Sequence, residues 1–231
     1  MRILAMDTAT SACSVALWID GAVTQHRFEE MARGQAEALA PMIRDVLDDA
    51  GIAANSLDLL AVTVGPGAFT GLRIGLATAR GMALATDLPC LGLTTCEVIA
   101  HAIDKSLWQG GTLLVTLDSK RSDIYVQTFC GLDETHSEPQ AMDPANLEKW
   151  LHGTPGPVHI VGDARETALN ALQGTTIEAV GINTADFPDA AVLAELASKR
   201  WSNEQPTTLP APLYLRPPDA KLPKNGGRLR P

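Results

Sequence analysis

Twice in this chain a short apolar strand runs straight into an aspartate that is followed by hydroxyl-bearing residues. Residues 2–6 lead into Asp7-Thr8-Ala9-Thr10-Ser11, and residues 112–117 lead into Asp118-Ser119. Each aspartate opens the same succession of patterns. In the first half, 13–19 and 22–28 read as strands joined by a tight Asp20-Gly21 hairpin. Helix 35–50, strand 59–64, helix 71–86 and strand 90–93 follow, then a helix capped by Thr94 or Thr95 that runs to about Lys105. In the second half come strand 124–129, a weaker strand near 134–140, helix 144–152, strand 157–161, helix 164–173, strand 176–180 and helix 188–201. Gly65 and Gly162 each end the fourth strand of their half. The halves share order without sharing sequence, so the repeat is one of pattern. A βββαβαβα succession used twice predicts an α/β chain of two lobes, 1–106 and 107–216, the second reduced, with an aspartate turn at the mouth of each.

That order resembles the actin-like architecture of actin, the sugar kinases and Hsp70, in which two facing turns hold the phosphates and metal of ATP. Asp7 and Asp118 could orient a metal or a water there, or could accept hydrogen bonds from backbone N–H groups of their own turns. Asp7, Thr8, Thr10, Asp118, Ser119 and Gly162 read as a vestigial nucleotide cleft. A stand-alone ATPase or small-molecule kinase using Asp7 and Asp118 is the alternative. The glycine-rich turn Gly65-Pro66-Gly67-Ala68-Phe69-Thr70-Gly71 is not a phosphate loop of known type: Leu72 and Arg73 stand where a Walker lysine and hydroxyl belong, and the glycine spacing misses the dinucleotide fingerprint.

Beyond that turn, Gly71, Gly75, Ala79 and Ala83 recur every four residues and so share one helix face. Two glycines in a helix cost roughly 1 kcal/mol each against alanine, so a close approach is expected there. It could be to helix 35–50 within the lobe, to a partner, or to both. Pro41 sits inside helix 35–50 and predicts a separate or kinked first turn.

Composition narrows the function classes. Hydrophobic residues make up 45% of the 231 and charged residues 19%, enough to bury a sizeable core. No apolar run approaches the roughly 18 residues of a membrane span, and Asp7 interrupts any leader-like core, so a cytoplasmic setting is expected. Cysteines at 13, 90, 96 and 130 form no Cys-x-x-Cys pair and are expected as buried thiols, while Trp18, Trp108, Trp150 and Trp201 read as packing residues. None of the five histidines pairs at helical spacing, which argues against a zinc site, and no Ser-His-Asp set argues for a peptidase. Net charge is −9, against a chain that grips nucleic acid over its whole surface. The exception is the Pro- and Gly-rich end: residues 216–231 hold +4, which leaves −13 on the first 215, and 217–231 reads as a mobile basic tail.

Four stretches carry a more specific resemblance: Ile3-Leu4-Ala5-Met6-Asp7-Thr8-Ala9-Thr10; Gly65 to Gly75; Leu117-Asp118-Ser119-Lys120-Arg121-Ser122-Asp123-Ile124-Tyr125; and Pro212-Leu213-Tyr214-Leu215-Arg216. Together they resemble the TsaB (YeaZ) family, the non-catalytic partners in bacterial tRNA threonylcarbamoyladenosine synthesis. The resemblance implies a scaffold that pairs with the catalytic paralogue TsaD, is joined by the ATPase TsaE, and forms a homodimer when alone. It implies that tRNA and ATP are engaged only at the level of the complex, with no tightly bound cofactor or metal and no membrane. The His-x-x-x-His metal pair of TsaD is matched here by Thr95 and Ile99, which cannot replace two imidazoles. The implied partner surface is the first two helices, through Gln35, Leu39, Met42, Ile43, Val46, Gly71, Arg73, Ile74, Gly75, Thr78 and Met82. The polar turn after Asp118 and the single glycine at 162 depart from the family pattern and weaken a nucleotide reading more than a scaffold reading.

Overall fold

A computed structural model describes residues 1–104, 106–108, 110–131, 134–135, 137–184, 186–202 and 208–216. The tail 217–231 lies outside the described residues. In the first half, β1 (Arg2–Asp7), β2 (Ala12–Ile19) and β3 (Ala22–Glu30) precede α1 (Gln35–Ala50), β4 (Leu59–Gly65), α2 (Phe69–Thr86), β5 (Cys90–Thr94) and α3 (Thr95–His101). The second half begins with β6 (Thr112–Asp118), β7 (Ile124–Gly131), β8 (Glu134–Thr135) and β9 (Gln140–Met142). It continues through α4 (Leu147–Leu151), β10 (Val158–Val161), α5 (Arg165–Leu172), β11 (Ala179–Gly181) and α6 (Ala190–Arg200).

The two sheets have the same wiring. The first runs β3-β2-β1-β4-β5, antiparallel across β3, β2 and β1 and parallel across β1, β4 and β5. The second runs β11-β10-β6-β7, with β8 and β9 both pairing β7, so β6 and β10 repeat the places of β1 and β4. This is the actin-like fold, with the second lobe's third strand broken into two short pieces. Central strands buried on both faces need continuous apolar runs, and β1 supplies Ile3, Leu4, Ala5 and Met6, all fully buried. The edge strand β3 carries Gln25, His26, Arg27, Glu29 and Glu30 instead, charges that blunt edge-to-edge pairing. Asp20 and Gly21 both have positive φ, as the predicted two-residue hairpin requires.

Alternation along the strands divides the core into layers. Leu4, Met6, Val15 and Val62 face α1 and α2, which contribute Leu39, Ile43, Val46, Leu76 and Ala79. Ile3, Ala5, Ala16 and Ala61 face the other way, onto Ala190, Leu193, Ala194 and Ala197 of α6. Helix α3 puts Cys96, Ile99 and Ala100 onto Leu113, Val115 and Leu117 of the second sheet, and α4 and α5 cover that sheet's far side. The split at residue 107 therefore follows the repeat in sequence but not the packing: α6, from the second half, is the cover of the first sheet. Its entry is fixed by Asp189, which accepts from Ala191 N at 2.7 Å, and by Ser14 Oγ of β2, which accepts from Ala190 N at 2.9 Å.

Several local expectations shift. α1 passes through Pro41 as one unbroken helix with Pro41 on its exposed side. α2 begins at Phe69, two residues before the expected start, and α3 ends at His101 rather than Lys105. Thr94 caps α3 in a reciprocal box with Glu97. Cys13, Cys90 and Cys96 are buried thiols, but Cys130, near the end of β7, is exposed.

The two glycines on the bare face of α2 are covered by the first aspartate turn, while Ala79 and Ala83 lie in the core layer shared with α1. A Cβ added at Gly71 would stand 2.0 Å from the Thr8 carbonyl oxygen, one at Gly75 2.7 Å from Thr8 Oγ1, and one at Gly67 2.2 Å from the Ala9 carbonyl oxygen. Glycine is required because backbone meets the backbone of the first aspartate turn, and Thr8 Oγ1 donates to the Gly71 carbonyl at 2.7 Å to seal the contact. Gly81, by contrast, has nothing within 4 Å of an added Cβ. Gly71→Ala is therefore expected to destabilise by about 2 kcal/mol or more, because backbone must move, while Gly81→Ala gains about 0.5–1 kcal/mol. Urea unfolding of both variants checks the opposite signs.

Candidate functional site

The two aspartate turns sit at the carboxyl ends of equivalent strands but have become chemically different. Asp7 is fully buried; one carboxylate oxygen accepts from Thr63 Oγ1 and from Ala9 N at 3.2 Å, and the other has no protein partner. Burial pushes its pKa up to about 7 against those two hydrogen bonds. Thr10 Oγ1 and Thr95 Oγ1 are likewise buried without a partner. On the other lobe Asp118 is half-buried, accepting from Lys120 N at 2.6 Å and pairing with Lys120 Nζ at 2.9 Å. Its backbone N–H donates to Asp163 at 2.7 Å, and burial pushes the Asp163 carboxyl up to about 6. Gly162, at φ +97, lets that turn pass the Thr116 carbonyl, which an added Cβ would meet at 2.1 Å.

Between the turns lies the chain's own end. Residues 208–216 cross from the first lobe to the second as a strap. Leu213 N donates to the Val64 carbonyl at 2.7 Å, the Leu213 carbonyl oxygen stands 3.0 Å from where a Cβ on Gly65 would be, and Pro210 presses on Gly92. Tyr214 OH accepts from Arg73 Nε at 2.9 Å, and the Arg73 guanidinium lies 3.6 Å over the Phe69 ring. At the far side Arg216 pairs with Asp123 and donates to Ser119 Oγ at 3.1 Å. The strap thus covers the carboxyl ends of β4 and β5, where an open α/β sheet usually admits a ligand.

These residues do not fit a kinase-type metal and phosphate site. The carboxylate that would orient the metal is sealed under the Thr8–Gly71 contact and holds its proton toward neutrality, and strap backbone fills the space above Gly65. Thr95 and Ile99 are fully buried on α3. Among the described residues no three His, Cys, Asp or Glu side chains are placed to hold a metal ion.

The expected partner surface also separates. Leu39, Ile43 and Val46 are core residues, and Gly71 and Gly75 are covered by Thr8, so none of the five reaches the surface. Gln35 is spent on the Thr10 and Met31 carbonyls. What remains open is a half-buried apolar strip, Met42 from α1 with Ile74, Thr78 and Met82 from α2. Arg73 is adjacent in sequence, but successive helical residues turn by about 100°, which carries it to the strap side of α2.

A family model described as TsaD, tRNA N6-adenosine threonylcarbamoyltransferase, matches residues 28–219. The TsaB protein of Escherichia coli K12 is 42% identical over 126 residues, 54% of this chain and 53% of that one. TsaB of Haemophilus influenzae is 29% identical over 238 residues, 94% of each chain. The solved structure of YeaZ from Pseudomonas aeruginosa superposes with a TM-score of 0.76 at 26% identity, covering 93% of this chain and 99% of that one. The chain belongs to the TsaB/YeaZ family. Within that family frame, the four stretches of resemblance converge on one place: the Asp7 turn, the Gly65–Gly75 segment, the Asp118 turn and the strap all meet at the cleft mouth. Sequence reasoning missed Phe69, Tyr214 and Arg216 as site residues, although the Pro212–Arg216 motif marked the segment that brings two of them in.

The raised Asp7 pKa has a consequence for stability. The folded chain holds this proton up to about pH 7, whereas an unfolded aspartate releases it near 3.8. Folding therefore takes up a proton between those values; the contribution is full below the lower one and is lost as pH rises through the upper. Asp163 acts in the same direction. The unfolding free energy should fall as pH is raised across this window, and Asp7→Asn should make that slope shallower in denaturant titrations at stepped pH.

Proposed function

We propose that this chain is the non-catalytic subunit that pairs with a TsaD-type tRNA N6-adenosine threonylcarbamoyltransferase and holds it in an active form. The observation that carries the reading is the match of a TsaD family model over 28–219 on a chain in which, among the described residues, no three His, Cys, Asp or Glu side chains are placed to hold a metal ion; the resemblance puts Thr95 and Ile99 where the paralogue's metal pair would stand. The chain keeps the paralogue's frame without its reacting groups. TsaE, an ATPase, joins the assembly, ATP and tRNA are engaged at the level of the complex, and the chain alone forms a homodimer through the surface it otherwise offers to TsaD.

Pairing uses the α1–α2 strip. Met42, Ile74, Thr78 and Met82 present apolar and small polar groups above a rigid layer, since the residues beneath them are locked into the sheet. A preformed strip of this kind loses little entropy on docking. The acidic body, at net −9, disfavours self-association away from the strip. No helix among the described residues is long and apolar enough to cross a membrane, which suits a partner of tRNA enzymes.

Ile74→Asp with Met82→Asp should weaken pairing at least about a hundredfold, since two charges would be desolvated at the contact, while circular dichroism stays unchanged. Thr78→Arg, at a polar position of the same strip, is the second variant should the first unfold. Gel filtration and co-elution with TsaD read the effect. Modification assays assembled from TsaD, TsaE, ATP, threonylcarbamoyl donor and tRNA should lose product when this chain is left out; modification that proceeds equally without it would overturn the reading.

A further inference from the structure

At the cleft mouth, outside the strap, lies an open depression of about 710 Å³ between the start of α2, the β6–β7 turn and residues 213–216. Its wall holds Arg73, Lys120, Arg121 and Arg216 and no carboxylate. In a chain of net charge −9, four cations converging from α2, a turn and the strap are not a by-product of composition. Arg216 is held there against repulsion: burial, and after it the neighbouring Arg121, lower its pKa. Asp118 and Asp123 lie against Lys120 and Arg216 and fix their side chains. The first turn of α2, an 18-residue helix, opens onto the same space with no side-chain cap.

Aromatic rings stand among these charges. Phe69 and Tyr214 are 50% and 43% exposed, their ring centroids 5.4 Å apart, with the Arg73 guanidinium over both. Tyr125 lies across the depression with Arg216 5.5 Å above its ring. Half-exposed rings interleaved with guanidinium groups form a stacking platform beside a phosphate track, the chemistry by which single-stranded nucleic acid is held. A mononucleotide pocket would enclose most of its ligand, whereas here the rings lie open at the rim.

We propose that this depression docks a single-stranded segment of RNA, with bases stacking on Phe69 and Tyr214 and phosphates passing between Arg73 and the Lys120-Arg121 turn. The inference rests on the proposed function only for the choice of RNA. It adds a direct RNA contact on this chain, separate from the α1–α2 strip.

The test uses fluorescence anisotropy of a labelled single-stranded RNA of about 12 nucleotides with the purified chain at low salt. Saturable binding is expected, weakening with salt at a log–log slope of about −1.5 to −2 for two or three phosphates. Arg73→Glu with Arg121→Glu should lower affinity at least about tenfold and Phe69→Ala about fivefold or more, while Arg44→Glu on α1 changes it little. Should the double variant unfold, Arg121→Glu alone, on the exposed turn, carries the test. Absence of saturable binding would overturn the proposal, as would an equal loss in Arg44→Glu, or full displacement of the RNA by ATP at matched nucleotide concentration, which would mark a small-ligand site. Co-elution with TsaD is measured on the same variants. RNA binding lost with pairing intact supports this assignment, no RNA binding by a wild-type chain that still pairs sinks it alone, and RNA binding without pairing sinks the scaffold reading alone.

Discussion

The molecule depends on one contact in which backbone meets backbone without side chains between. Helix α2 lies against the turn after Asp7 so closely that Gly67, Gly71 and Gly75 have no room for a methyl group, and Thr8 hydrogen-bonds into the helix's first turn. That approach fixes where α2 begins, and hence where Phe69 and Arg73 stand at the cleft mouth. It also takes Asp7 out of solvent, leaving a carboxyl that holds its proton to about pH 7 in place of a charged metal ligand. In this fold a turn that could meet phosphate has become a packing surface. Gly67, Gly71 and Gly75 are what allow that packing.

A second constraint is the sharing of helices between lobes. α3 leaves the first sheet to cover the second, and α6 leaves the second to cover the first. The Arg200–Glu97 ion pair ties the two exchanged helices to each other at the box that caps α3. The strap adds a third crossing, held by Val64 on one side and by Ser119 and Asp123 on the other. Together these crossings tie the two lobes to each other on both sides of the cleft.

Much of the fold was legible because its signals are local. Short apolar runs ahead of Asp7 and Asp118 point to the central strands, and the twice-repeated order points to the sheet wiring. The site was less legible because its causes are distant in sequence. The spacing of Gly71 and Gly75 announced a close approach but could not say to what, since Thr8 is more than sixty residues away. Arg73 looks like an outward helix residue until Tyr214, 141 positions on, captures it. Leu39, Ile43 and Val46, which the resemblance places on the partner surface, are taken up by the core. Asp7 and Asp118, alike in pattern, differ in burial through neighbours that no local window contains.

The exchange of α6 reaches beyond the finished structure to how it is made. Ile3, Ala5, Ala16 and Ala61 are covered by residues 190–197. A nascent chain that has emerged through α3 therefore carries a complete sheet, one side of which meets only Val98 until α6 follows. Biosynthesis thus leaves an interval in which apolar surface of the first sheet stands open, and a piece cut at the boundary of the sequence repeat would keep that surface exposed.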